Sequence, residues 1–178
     1  METKSPVSFL AHVARLPQKG MPVVIEAGVK ERAALSAAHG LLEVKNYRAD
    51  LLVTPWKRHG VKVSGNVRAD IVQECVVTLD PIENHIDEVV EGVFLPEDSK
   101  LGRQGFDGGG EIVLDAEGPD SPETYAGDTI DVGAFAEEFF GLGIDPYPRK
   151  AGAIVEAESE PAVEGPLQEK LRQLKLKS

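Results

Sequence analysis

The stretch Val61–Leu79 reads VKVSGNVRADIVQECVVTL. Apolar or small residues occupy the odd positions Val61, Val63, Gly65, Val67, Ala69, Ile71, Cys75, Val77 and Leu79, and Gln73 is the single break. Lys62, Ser64, Asn66, Arg68, Asp70 and Glu74 take most of the even ones. A period of two predicts a β-strand with one buried face. Nineteen residues exceed the usual strand length of about five or six, so a bend or bulge is expected, and Gly65 is the place for it. Beyond Ile71 the even positions Val72 and Val76 are also apolar, which predicts that this end is covered on both faces, with the helix at 30–38 as the cover.

Working outward, the alternation of Val7, Phe9, Ala11 and Val13 predicts a first strand, and Pro22–Ala27 a second. Lys30–Ala38 is Ala-rich, with Gly40 placed to end a helix in a left-handed conformation. Tyr47, Ala49, Leu51 and Val53 form the apolar side of a third strand, and Trp56–Gly60 (WKRHG) is the hairpin turn into Val61. After an Asp80–Pro81 turn, His85–Leu95 returns as another strand that Pro96 ends. Residues 97–127 are Gly-, Pro- and acid-rich and are expected to form a flexible loop. Asp131 is positioned to cap a helix carrying Phe135, Phe139 and Leu142 on one face. Residues 153–178 read as an acidic linker with a short basic tail. The expected architecture is therefore α+β: one domain over 1–152, with an antiparallel meander of about five strands, open or curled toward a barrel, and two helices packed on it.

Charge is unevenly spread. The net of −11 divides into +4 over residues 1–79, −19 over 80–169 and +4 over the last nine. An acidic total opposes tight nonspecific binding to nucleic acid. The longest apolar run is far short of the roughly 20 residues of a membrane-spanning helix, and the first twenty residues lack a secretory h-region. One cysteine permits no internal disulfide and fits a reducing compartment. The expected location is the cytoplasm, without a membrane partner.

Motifs for chemistry are lacking. The four histidines are dispersed, and neither HExxH nor CxxC occurs. The glycines of 102–110 lie among acids and match no phosphate loop. Glu137–Glu138 reads as a solvated helix face, and Cys75 as a core thiol. These readings imply no catalytic residues, metal, cofactor or small-molecule substrate. Two binding features stand out. Lys45, Arg48, Lys57, Arg58, Lys62 and Arg68, with Trp56 and Tyr47 nearby, make either a basic-aromatic patch suited to single-stranded RNA or ordinary solvated sheet charges. Gln73, an amide on the apolar face, is either a satisfied core residue or a binding residue.

Three blocks carry a family resemblance. The first is Lys30–Leu35 (KERAAL) followed by Gly40–Leu41. The second is Gly65–Ala69 (GNVRA) with Gln73–Pro81 (QECVVTLDP). The third is Pro122–Glu123, Ile130–Gly133 and Asp145–Arg149 (DPYPR). In this order they resemble the YceD family of large ribosomal RNA subunit accumulation proteins, in its alphaproteobacterial form. The resemblance implies a non-catalytic role in accumulation or processing of large-subunit ribosomal RNA. Ribosomal or RNA-processing proteins are the implied partners, and ribosomal RNA itself is a further one. It gives Gly65, Cys75, Pro81, Asp145, Pro146, Tyr147, Pro148 and Arg149 as motif residues of structural role. Many relatives have a second cysteine where this chain has Thr78, which weakens any metal or redox role for Cys75. The competing readings are a metal-dependent RNA-processing enzyme and a direct RNA-binding module.

Overall fold

The protein is described from a computed structural model, which covers residues 4–57, 59–97 and 122–153. The expected 97–127 loop, apart from its ends, and the 153–178 tail, apart from Ala153, lie outside these residues, as does Arg58. In chain order the elements are β1 (Leu10–His12), β2 (Met21–Glu26), α1 (Val29–His39), β3 (Glu43–Trp56), β4 (Gly60–Glu74), β5 (Pro81–Pro96), β6 (Glu123–Tyr125), β7 (Thr129–Asp131) and α2 (Val132–Leu142).

The α+β class holds. The main sheet has the order β2-β3-β4-β5-β6 and does not close on itself. Its first three pairings are antiparallel, as the meander predicts, but β6 pairs with β5 in parallel, so the sheet is mixed. β1 and β7 form a separate two-stranded antiparallel ribbon. The first strand is thus three residues long, not the seven that the alternation from Val7 to Val13 suggests.

Strand β4 is the centre of the sheet, paired along nearly its whole length on both edges. The odd positions from Val61 to Ile71 are buried, apart from the partly covered Gly65, as the alternation requires. At Gly65 the register with Leu51 and Val90 is unbroken, so no bulge lies there. Glycine is needed for another reason: a Cβ at this position would lie 2.1 Å from the Asp50 carbonyl oxygen and 2.9 Å from the Leu51 Cα. The irregularity falls instead on β3, between Val44 and Asn46. The strand also ends sooner than its pattern suggests, at Glu74. Cys75–Asp80 is a tight turn in which Leu79 adopts a positive φ of 60° and is 66% exposed.

Both helices pack on one face of the sheet, α1 against β3 and α2 against β4 and β5. Helix α1 starts where the Glu31 carboxylate accepts the Gly28 N–H at 2.5 Å, and stops at Gly40, which takes the left-handed conformation (φ 65°). Helix α2 is capped by Asp131, which accepts from the Gly133 and Ala134 N–H groups at 3.2 and 3.0 Å. Its buried side is Val132, Phe135, Ala136 and Phe140, with Phe139 partly covered; Leu142 is 79% exposed, contrary to the expected stripe. The Phe140 ring sits edge-on to Tyr47 (5.4 Å between centroids) and joins the helix to the sheet.

Candidate functional site

The sheet face away from the helices carries the basic candidates. Cross-strand register places Arg48 opposite Arg68, and Thr54 opposite Lys62, so Arg48, Lys62 and Arg68 share the face as the alternation predicts. Two guanidinium groups directly opposite each other repel, and each is neutralised by a carboxylate. Arg48 Nε and Nη2 donate to Asp50 at 2.8 and 2.7 Å, and its Nη1 donates to Glu26. Arg68 Nε lies 3.3 Å from Asp87, Lys62 Nζ 2.6 Å from Glu91, and Lys45 Nζ 2.5 Å from Glu83. The hydrogen bond from Arg48 holds the Asp50 carboxyl below its ordinary range, and the bond to Glu83 raises the Lys45 ammonium. Asp70, bonded to His85 and Asn46, is likewise held low. Six carboxylates (Glu26, Asp50, Asp70, Glu83, Asp87 and Glu91) stand among four cations here, so the face is a ladder of ion pairs with an acidic surplus.

The aromatic half of the expected patch lies elsewhere. Tyr47 points into the core and is 2% exposed; its hydroxyl finds no partner among the described residues, and burial, then the nearby Glu137 charge, pushes its pKa upward. Trp56 is at the hairpin end of β3, about 26 Å along the strand from Arg48 at 3.3 Å per residue. There Lys57 Nζ sits 5.8 Å from the Trp56 ring centroid, and Trp56, His59 and Tyr125 line a depression of about 430 Å³. Arg48 and Arg68 therefore lie apart from the indole, whereas Lys57 adjoins it and Lys62, opposite Thr54, lies toward the same end of the sheet.

Gln73 is a clamp. It is 6% exposed; its Nε2 donates to the Asp145 carbonyl oxygen at 2.8 Å, and its Oε1 accepts from Asn84 Nδ2 at 2.7 Å. The Val76 N–H donates to the Pro148 oxygen at 3.0 Å, and Lys150 Nζ to Asp80 at 3.0 Å. The segment bonded over the end of β4 is thus Asp145–Lys150, not the expected α1. Pro148 is buried there, while Asp145, Pro146, Tyr147 and Arg149 are exposed, and Pro81 opens β5 opposite Glu74. Cys75 is fully buried, its Sγ accepting the Thr78 and Lys150 N–H groups, each at 3.4 Å. The Thr78 side chain first, then these backbone donors, draw the thiol down to about 6 against the opposing effect of burial.

Sequence reasoning missed a further cluster. Glu137, expected on a solvated face, has a side chain only 14% exposed; it lies 3.0 Å from His39 Nε2 and accepts from the Ser5 hydroxyl. No amphipathic pattern encodes this, because the partners of Glu137 are His39 at the end of α1 and Ser5 near the start of the chain, both distant in sequence. Among the described residues, no three His, Cys, Asp or Glu side chains are grouped so as to hold a metal, and no helix is long and apolar enough to cross a membrane.

A search of curated proteins and one of solved structures returned no match. A family model does match, over residues 63–175, more than half of the chain. Those residues contain β4 from Val63 onward, the Cys75–Asp80 turn, β5, α2 and the clamp segment. The second and third sequence blocks, which the structure brings into contact through Gln73, Cys75 and Asp145–Lys150, lie inside the match. The chain belongs to the family described as Large ribosomal RNA subunit accumulation protein YceD.

Proposed function

We propose that the chain is a non-catalytic cytoplasmic factor that supports accumulation of large-subunit ribosomal RNA by binding a protein partner, a ribosomal or RNA-processing protein. The family description supplies the process. The observation that carries the choice of partner is the charge state of the open sheet face. Each of Lys45, Arg48, Lys62 and Arg68 is committed to a carboxylate, with acids in surplus. Phosphate binding needs clustered, available cations, whereas a Lys/Arg-rich protein is attracted by this face and by the −11 net charge. Ribosomal RNA is a secondary contact in the same complex, at Lys57 and Trp56, where a cation and an indole adjoin.

The test is recovery of the tagged full chain from ribosome gradients. Co-recovery of identified large-subunit or RNA-processing proteins, surviving nuclease treatment, is the expected result. Recovery that nuclease abolishes points to the RNA-binding alternative.

A further inference from the structure

We propose that the open sheet face, centred on Val24, Leu52 and Val89, is the docking surface for a Lys/Arg-rich protein segment. The inference rests on the protein-binding reading above and gives it a location and a chemistry.

Register builds the centre of the face from two neighbouring rows. Pro22, Leu52, Ser64 and Glu91 align across β2 to β5, and beside them Val24, Asp50, Asn66 and Val89. Val24, Leu52 and Val89 are 55%, 39% and 65% exposed. Alternation puts all three on the side opposite the helices, where none of the elements described above packs. Ser64 and Asn66 between them are small and uncharged. Around this centre run the ion pairs of Arg48, Arg68 and Lys62. A partly apolar centre within a charged rim is the anatomy of a protein interface.

The rim selects the occupant. Six carboxylates against four paired cations repel phosphate and disfavour a second copy bearing the same surplus. Lysine and arginine suit it on both counts: their alkyl stems cover Val24, Leu52 and Val89 while their charged ends reach carboxylates at the edge.

The experiment uses the full chain, proteins extracted by high salt from large ribosomal subunits, and the deproteinised RNA of the same subunits. Extract proteins retained by the chain are identified by mass, purified and titrated. The double variant Leu52→Lys, Val89→Lys changes only exposed side chains, with Val89→Lys alone as the fallback should the pair fail to fold. Leu142→Lys, at the end of α2, is the control. Retention of a Lys/Arg-rich protein with affinity about tenfold or more weaker in the double variant, and unchanged in the control, is expected. If a folded double variant binds as tightly as the unaltered chain, the docking face is wrong while the binding reading stands. If the unaltered chain retains no protein, the binding reading itself falls. Preferential binding to the RNA, or self-association abolished by the double variant, overturns the choice of occupant.

Discussion

Gln73 donates its Nε2 hydrogen to the backbone oxygen of Asp145 across 2.8 Å, so a buried amide ties the central strand directly to the Asp145–Arg149 motif. Its Oε1 is used as well, by Asn84. Replacing Gln73 by Leu leaves the Asp145 carbonyl and the Asn84 amide without these partners. A loss of about 1–3 kcal/mol of folding stability is expected, read from the denaturant midpoint. A midpoint within error of the unaltered chain contradicts the clamp.

Cys75 gives the fold a pH dependence. Its thiol titrates at about 6 when folded, against an ordinary value of 9.0. Between these values the unfolded chain binds more protons, so stability rises with pH across the window. The contribution is complete above about pH 9 and lost as pH falls through about 6. Denaturant midpoints at pH 6, 7.5 and 9 are expected to climb for the unaltered chain and to climb less for Cys75→Ala. Parallel curves would show that the thiolate is not stabilised by the Thr78 and Lys150 contacts.

Gly65→Ala introduces a Cβ 2.1 Å from the Asp50 oxygen, on a strand paired at both edges. The backbone of β3 or β4 must move to admit it. A loss exceeding about 1 kcal/mol is expected, measured as a lowered melting temperature; an unchanged melt means that the strands are not this close.

The ion-pair ladder predicts opposite responses from two ligands. Asp87→Asn with Glu91→Gln frees Arg68 and Lys62 from their carboxylates. Affinity for large-subunit RNA fragments is expected to rise, with a steeper salt dependence, while affinity for a basic protein partner falls. An unchanged RNA titration would show that these carboxylates do not mask the cations.

Much of this was legible in the residues. Alternation from Val61 to Ile71 fixed both the central strand and its buried side, and Gly40 and Asp131 marked helix ends through local backbone chemistry. The pattern failed where tertiary contact rather than periodicity decides. Cys75, Val77 and Leu79 keep the apolar period, yet the strand has ended, because hydrogen bonds from Cys75 to Asp80 and from Val76 to Pro148 fold the chain back. Gly65 looked like a bulge because glycine serves both bulges and close approaches, and only the neighbouring strand distinguishes them. For the candidate site, strand parity correctly grouped Arg48, Lys62 and Arg68. It could not show their carboxylate partners, which come from β2 and β5 as well as β3, or the burial of Tyr47. The second-block and third-block motifs were visible separately; their contact spans some seventy residues of chain and has no local signature.

The most direct test of the central claim compares binding of the full chain to protein-bearing large-subunit precursor particles with its binding to the same RNA stripped of protein, over a series of salt concentrations. Binding to the particles, and none to the bare RNA at physiological salt, is expected. Equal binding to the bare RNA, falling steeply as salt rises, would contradict it.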